Sequence, residues 1–322
     1  QEIMAQFRKD THQYLPDGKT IFEVVMLADQ YGNTVSSPGN PTGTALDAFG
    51  RQRVSNPYTL LDSFHRFADN GKFNYANTAG GTYSFMSNTS SIDCSLTTAS
   101  GAYVYRESKR VFSYQPGKSL LILNTFVMFP ATKDLTQRVG YVGAKNGYYL
   151  EVSGSGIAFV ERSLVSGSVS DTGVLQQFWN YDKLDGTGPS GITLDISKAQ
   201  ILWTDMEWLG VGSVRMGFVI NGQFILCHTF HHANIIDSTY ITTASLPIRY
   251  EIEYTGPGIA DSATLKQICS TVISEGGYEI RGYSKTIGIP ITTPTTLAAP
   301  GTYYPIVSIR LKSTNLDGIV IP

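Results

Sequence analysis

The carboxylates of Asp205 and Glu207 form the pair in this sequence that is best suited to acid/base chemistry. Residues two apart on a β-strand share one face and lie about 6–7 Å from each other, a separation compatible with glycoside hydrolysis. Trp203 precedes them at the same spacing, and an aromatic ring beside carboxylates is typical of a platform for a sugar. No third carboxylate follows, because the next residues are Trp208-Leu209-Gly210. The pattern leaves open a catalytic pair or two acids on a solvated face, with Trp203 as a candidate glycan-binding residue.

Two other clusters contain side chains that ligate metals. In Cys227-His228-Thr229-Phe230-His231-His232 the side chains of a strand alternate between faces, so three ligands do not converge. His231 and His232 are candidates only if the strand ends near Phe230. Asp182 and Asp185 lie in a Gly-rich loop that could bind calcium, but the loop lacks the alternating oxygen ligands of an EF-hand. With no phosphate-binding Gly loop or dinucleotide fingerprint either, we expect neither a metal nor a cofactor.

The elements that must carry these residues are strands. From about residue 71 the sequence alternates runs of five to nine strand-forming residues with Gly, Asn, Asp and Ser turns. Ser262–Cys269 is the best short helical candidate. Many short strands with frequent turns indicate an all-β fold, a two-sheet antiparallel sandwich of the jelly-roll or concanavalin-lectin-like type.

Asn221-Gly222 predicts the clearest hairpin, because both residues tolerate the positive φ of a two-residue type I′ turn. This turn places Ile220 opposite Gln223 and Phe218 opposite Ile225. It also places Met216 opposite Cys227 and Arg215 opposite His228. The hairpin has large apolar groups on both faces, which predicts a central position in a sheet.

Composition excludes several classes of function. The chain has 322 residues with 42% hydrophobic, 11% aromatic and only 16% charged residues, which is not the composition of a disordered protein. The formal net charge is -2, so no basic field is available to hold nucleic acid or an anionic membrane. The longest apolar run is about half the ~20 residues of a membrane helix. Three widely spaced cysteines argue against a disulfide framework.

The chain divides into three regions by composition. Residues 1–70 contain little that can bury itself and predict an extended N-terminal arm; residues 71–285 carry the strand pattern of the sandwich; residues 286–322 read as a Pro/Thr-rich linker and the start of a small β unit. The first residue is Gln1 and the chain ends within an apolar run, so we expect a processed or partial chain. Tyr141, Tyr148, Tyr149, Tyr303 and Tyr304 fit either partner contact or sheet packing.

Several stretches between about residues 44 and 283, taken together, resemble a known class of proteins. They are Asp47-Ala48-Phe49-Gly50-Arg51-Gln52-Arg53-Val54-Ser55-Asn56-Pro57-Tyr58-Thr59-Leu60-Leu61-Asp62-Ser63, Phe112 to Ser119, Gln137 to Tyr141, Leu184 to Gly191, Glu207-Trp208-Leu209-Gly210-Val211-Gly212 and His228-Thr229-Phe230-His231-His232-Ala233-Asn234. Together they resemble the structural proteins of tailed bacteriophages, especially marine and cyanobacterial ones. The resemblance implies a virion component and supplies no catalytic residue.

The expected function is therefore that of a phage virion structural protein, a fibre, tail appendage or head-surface component assembled in the host bacterial cytoplasm. We expect it to self-associate, to contact other virion proteins through its N-terminal arm, and to have no enzymatic activity. Low charge suits large permanent interfaces, whose cores are depleted in charge. A carbohydrate-binding module for host-surface adsorption is the alternative, and a glycan hydrolase using Asp205 and Glu207 is a third hypothesis.

Overall fold

The computed structural model describes residues 12–14, 21–23, 57–78, 80–256 and 262–279. The chain separates into two units, residues 1–43 and 44–322. In the first unit, β1 (His12–Tyr14) pairs antiparallel with β2 (Ile21–Glu23). Among the described residues, no helix has the length and hydrophobicity needed to cross a bilayer. The predicted linker, residues 286–322, and most of the predicted arm lie outside the described residues.

The second unit is built from two large antiparallel sheets, which confirms the predicted all-β sandwich. One sheet has seven strands, in the spatial order β13-β12-β11-β10-β18-β7-β4. Their bounds are β4 Phe73–Asn77, β7 Tyr103–Ser108, β10 Leu135–Val142, β11 Gly147–Ser153, β12 Gly156–Ser163, β13 Ser170–Leu175 and β18 Ile248–Tyr254.

The other sheet has eight strands, in the order β16-β15-β14-β9-β19-β6-β5, with β3 also paired to β19. Their bounds are β3 Pro57–Phe64, β5 Gly81–Met86, β6 Ser91–Leu96, β9 Ser119–Val127, β14 Gln200–Met206, β15 Val214–Ile220, β16 Gln223–Phe230 and β19 Ala263–Glu275. A short ladder joins β8 (Phe112–Ser113) to β17 (Ser245–Leu246).

The core lies between the two sheets and follows the alternation of the strands. In β7 the buried positions alternate with half-buried ones, because successive side chains point to opposite faces of a sheet. Ile122, Phe126 and Phe218 from the eight-stranded sheet and Leu150 and Phe159 from the seven-stranded sheet belong to one buried cluster. Strands such as β7 therefore have one face in the core and one face pointing away from it.

The Asn221-Gly222 hairpin is present, with φ of 54° at Asn221 and 76° at Gly222. Ile220 opposes Gln223 and Phe218 opposes Ile225, as predicted. The two predicted pairs further from the turn are wrong. A β-bulge between Met216 and Gly217 shifts the register by one, so Met216 opposes His228 and Arg215 opposes Thr229.

Two sequence assignments need correction. The best short helical candidate, Ser262–Cys269, is not a helix: from Ala263 onward it belongs to β19, a strand whose buried positions largely alternate. The arm was expected to extend to residue 70, but β3 pairs with β19 from Pro57↔Glu275 to Phe64↔Cys269, so the sandwich begins before residue 71. Leu60 and Leu61 are buried there, which supplies the hydrophobic reason for this pairing.

Candidate functional site

The predicted carboxylate pair does not form an open acid/base site. Asp205 lies on β14, and its Oδ2 accepts a hydrogen bond from Arg215 Nε at 2.9 Å and a second from Arg215 Nη2. Glu207 follows the end of β14, and its backbone N–H donates to Ser213 O at 3.4 Å. Asp205 and Glu207 are each 1% exposed. The expected solvated face is therefore wrong, because one acid is neutralised by an arginine and neither carboxylate is open to a polymeric substrate.

Trp203 lies on the same strand but does not form an exposed platform. The residue is 2% exposed and packs with Leu121 and Leu226 on the face of the eight-stranded sheet that points away from the core. Its indole lies against Gly217, where an added Cβ would come within 3.0 Å of Trp203 Cε2. The predicted glycan platform is corrected accordingly: the ring is engaged by apolar neighbours rather than presented to a sugar.

The two predicted metal-ligating histidines have different surroundings. His231 is exposed, and its Nδ1 lies 3.2 Å from Ser213 Oγ. His232 is buried, with Nδ1 2.7 Å from Gly212 O and Nε2 2.7 Å from Glu161 Oε2. Its ring also stacks on Tyr240 at 3.8 Å between centroids. His232 therefore joins the β12 strand to the loops rather than pairing with His231 around an ion.

The predicted calcium loop holds itself together through its own backbone. Asp182 is buried, and its oxygens accept from the N–H groups of Leu184 at 2.9 Å and Ser190 at 2.7 Å. Asp185 accepts from the backbone N–H and hydroxyl of Thr187, at 2.9 and 2.6 Å. Within the described part of the chain, no group of three His, Cys, Asp or Glu side chains is arranged to hold a metal ion.

A surface that sequence reasoning missed lies on the seven-stranded sheet, on the side away from the core. We call it the polar face and define it by the outward side chains of β7, β18, β10 and β11. They are Tyr103, Tyr105, Glu107, Arg249, Glu251, Glu253, Arg138 and Glu151, which oppose one another across the strands.

Arg249 organises one half of the polar face. Its Nη2 donates to Tyr103 Oη at 2.7 Å, its Nη1 to Glu107 Oε2 at 2.8 Å and its Nε to Glu251 Oε2 at 2.6 Å. Its Cζ lies 4.0 Å from the centre of the Tyr105 ring, within the range of a cation–π contact. The rings of Tyr103 and Tyr105 are 5.6 Å apart. One guanidinium thus fixes two tyrosines and two carboxylates.

Arg138 organises the other half in the same way. Its Nε donates to Glu151 Oε2 at 2.9 Å, and its Nη1 contacts Glu251 Oε1 and Glu253 Oε1. The Glu107, Glu151 and Glu253 side chains remain 31%, 23% and 26% exposed, so these three carboxylates face solvent while their partners hold them in place. Each uses one of its two oxygens in these bonds.

The charge state of the polar face follows from this geometry. Burial by itself raises the pKa of Glu251, but the nearby charges of Arg249 and Arg138 outweigh burial and hold that pKa below its usual value. Burial, followed by the charge of Glu251, raises the pKa of Tyr103. At neutral pH Glu251 is therefore an ionised acceptor, and the neutral Tyr103 hydroxyl can both donate and accept.

The tyrosines singled out from the sequence have other roles where they are described. Tyr141, Tyr148 and Tyr149 are each fully buried, so packing is their role in the chain. The alternation Tyr103-Val104-Tyr105-Arg106-Glu107 was the available signal for the polar face. Its partners lie on β18, more than 140 residues away in sequence, and only the strand pairing brings them together.

Comparisons with known proteins found similarity in structure. No family model and no curated sequence matches the chain. A protein of unknown function from Shewanella oneidensis MR-1 is 9% identical, with a TM-score of 0.44 over 72% of this chain and 92% of that one. The Emp47p carbohydrate recognition domain is 11% identical, with a TM-score of 0.41 over 74% and 98%. A Bacillus licheniformis β-glucanase is 12% identical, with a TM-score of 0.42 over 66% and 97%. The functional argument therefore rests on the residues of this chain.

Proposed function

We propose that the chain is a carbohydrate-binding β-sandwich that recognises a host-surface oligosaccharide through its polar face. The observation that carries the proposal is the ladder of two tyrosines, two arginines and four carboxylates, each fixed by a charged neighbour. Sugar hydroxyls are both donors and acceptors, and binding sites for small polar ligands orient them with a few precisely placed polar groups.

The side chains that face solvent define the contact expected with the ligand. Glu107, Glu151 and Glu253 each retain an oxygen that can accept from a sugar hydroxyl, and Tyr103 offers a hydroxyl next to them. The arginines hold these groups in one geometry before a ligand arrives, so little side-chain entropy is lost on binding. The proposal is binding without turnover, since the ionised, arginine-paired Glu251 is not a general acid.

An oligosaccharide array followed by calorimetry tests this function. The variant Glu107→Gln/Glu253→Gln keeps the size of both side chains but weakens both acceptors, and we expect affinity for the bound oligosaccharide to fall about tenfold or more. Asp185→Asn, an exposed carboxylate in a loop outside the polar face, is the matched control and should bind normally. An array without any bound glycan, or a double variant with wild-type affinity, contradicts the proposal.

A second candidate function is assembly within a phage virion, and a separate observation favours it. Two of the stretches that resemble phage structural proteins lie side by side, since His232 Nδ1 is 2.7 Å from Gly212 O. Their loops expose aliphatic side chains, with Leu209 53% and Ile235 69% exposed. Exposed aliphatic groups held in rigid loops suit contact with another protein.

Mass spectrometry of purified particles tests the assembly role. We expect the chain to be present in particles and to be lost when Leu209→Ser/Ile235→Ser replaces the wild type, with the isolated variant folded normally. Sedimentation of the purified chain at increasing concentration tests self-association. Particles that lack the wild-type chain, or that retain the variant at wild-type copy number, argue against this candidate.

A further inference from the structure

A basic corner lies at one end of the sandwich, where the β3–β4 loop meets the turn after β7. It is defined by Phe64, Arg66, Phe67, Lys109 and Arg110. The two segments are joined by the backbone hydrogen bond from Lys109 N to Lys72 O, at 2.9 Å. Phe67 is 86% exposed and Phe64 is 47% exposed, while Arg66 Cζ lies 5.2 Å from the Phe64 ring centre and 5.9 Å from that of Phe67.

The positive charges of the basic corner are not neutralised within the described part of the chain. Arg66, Lys109 and Arg110 take part in no ion pair there. Two carboxylates of the same segment are already paired: Asp62 pairs with Lys72 at 2.7 Å, and Asp69 pairs with Arg106 at 2.8 Å. In a chain whose net charge is -2, three cations at one end of the sandwich, one of them beside exposed phenyl rings, form a local field that attracts anions.

A buried ion pair beneath the basic corner holds its loop in one conformation. Arg106 is fully buried and donates two parallel bonds to Asp69, at 2.8 and 2.9 Å, while its Nε donates to Gln267 Oε1 at 2.8 Å. Asn70 Nδ2 donates to Ser63 Oγ at 2.6 Å and so ties the loop to β3. The exposed rings therefore project from the end of β3 and from a loop that is ordered before any ligand binds, which lowers the cost of binding.

We propose that the basic corner binds the anionic substituents of a polysaccharide, namely its carboxylate, sulfate or phosphate groups. The Arg66 guanidinium presents a planar set of donors that suits such groups, and Lys109 and Arg110 add charge at the same end of the sheet. The exposed faces of Phe64 and Phe67 offer apolar surface to the sugar rings between charges. The ligand class is thus an acidic glycan, an assignment that rests on the proposed glycan-binding function.

The corner continues the polar face along one strand. Glu107 belongs to the polar face, and Lys109 follows two residues later on the same chain segment. The carboxylates of the polar face repel anions, whereas the corner attracts them. A bound acidic glycan is therefore expected to place hydroxyl-rich units on the polar face and its charged units at the corner.

Binding of defined polymers to the full chain tests the inference. Dextran sulfate and polygalacturonate are the sulfated and carboxylated probes, and neutral dextran is the uncharged one. We expect both anionic polymers to bind at least tenfold more tightly than neutral dextran, and affinity to fall as salt rises, since charges on both sides are screened. Replacing Arg66, Lys109 and Arg110 together with Gln should lower that affinity tenfold or more, and Phe67→Ala about threefold.

Matched controls separate the corner from general surface effects. The triple variant Lys133→Gln/Lys145→Gln/Lys198→Gln removes three exposed lysines elsewhere, and Phe178→Ala removes another exposed ring. Both should bind as the wild type does. Wild-type affinity in the corner triple variant, or equal losses in the two triple variants, would overturn the inference.

Two further comparisons test the class of ligand and separate the corner inference from the proposed function of the polar face. Equal affinity for an oligothymidylate of similar charge overturns the assignment to acidic glycans. If the corner variant retains wild-type affinity for the anionic polymers while Glu107→Gln/Glu253→Gln loses oligosaccharide binding, the polar-face function stands and the corner inference fails. If the corner variant alone loses anionic polymer and the polar-face variant changes no glycan affinity, the corner stands and the proposed function fails.

Discussion

Arg249 lies over Tyr105 with its guanidinium carbon 4.0 Å from the ring centre, and the same guanidinium bonds Tyr103, Glu107 and Glu251. The planar arginine fork is what permits contacts in several directions at once, and a lysine at this position has only a point charge to offer. The tyrosine ring face is thereby covered by the cation. A ligand on the polar face meets carboxylate oxygens and hydroxyl groups rather than a bare aromatic platform.

Replacing Arg249 should affect binding and stability together. Arg249→Gln leaves Glu251 buried with one cationic partner fewer, and loss of one partner of a buried pair costs about 3–5 kcal/mol. Because Arg138 still contacts Glu251, we expect a loss at the low end of that range, measured by urea unfolding. Arg249→Lys should recover part of the stability but not the oligosaccharide affinity. Full affinity in Arg249→Lys would show that the fork geometry is not needed.

The buried Arg106–Asp69 pair should be essential for the sandwich. Asp69→Asn leaves a fully buried guanidinium without its carboxylate, and we expect the free energy of unfolding to fall by about 3–5 kcal/mol. Asp62→Asn, which breaks an exposed pair with Lys72, should cost less than about 1 kcal/mol and is the control. Chemical denaturation of both variants measures the difference, and similar losses would show that burial of Arg106 is energetically unimportant.

Trp203 should behave as a packing residue. Trp203→Ala removes a ring enclosed by Leu121 and Leu226, and large-to-small changes of this kind cost about 3–5 kcal/mol. The folded fraction of the variant should bind oligosaccharide with wild-type affinity, because the ring lies on the other sheet. Calorimetry below the unfolding temperature checks this. A large loss of affinity in folded Trp203→Ala would restore the ring as a glycan contact.

Acid should destabilise the chain through His228. Burial, with a smaller contribution from the charge of His231, lowers the pKa of His228 from 6.5 to about 4. The unfolded chain therefore binds this proton at a higher pH than the folded chain. The stability due to neutral His228 is complete above about pH 6.5 and is lost as the pH falls toward 4, by an amount of order 1–2 kcal/mol.

The matching variant isolates the contribution of His228. Asn180 N donates to His228 Nδ1 at 3.3 Å, and His228→Gln keeps an acceptor on that side chain while removing the titration. Urea unfolding between pH 7 and 4 should show a shallower loss of stability in His228→Gln than in the wild type. Parallel curves would assign the acid sensitivity to other groups.

Local patterns predicted the fold because the strands obey local rules. The Asn221-Gly222 turn set the register of its hairpin for the first pairs, and strands such as β5, β16 and β18 lie in the predicted strand-rich region 71–285. The register failed at the bulge between Met216 and Gly217. A glycine inside a strand is a recognised bulge signal, but Gly217 alone does not fix where the register shifts. The helical prediction for residues 262–269 was wrong because the buried Gln267 interrupts the apolar alternation of the strand. Gln267 is buried because it accepts a hydrogen bond from Arg106 on the other sheet.

The candidate site was less predictable than the fold. Trp203 and Asp205 lie on one strand as expected, whereas Glu207 follows its end. The sequence does not reveal that the outward face of this sheet carries Leu121 and Leu226. The polar face depends on pairing between β7 and β18, and the basic corner depends on a loop whose Asp69 is paired with Arg106 of β7. Such sites form only when distant strands pair, and this pairing cannot be predicted from the local periodicity of the sequence.

The long strand β19 pairs with β3, β6 and β9. It ends at Glu275, whereas β3 begins at Pro57, so one sheet is closed by segments more than 200 residues apart. During synthesis, β3, β6 and β9 leave the ribosome with the edges that β19 will cover still open. Native closure of the eight-stranded sheet therefore waits for β19, and this slow non-local pairing exposes the nascent chain to aggregation until β19 arrives.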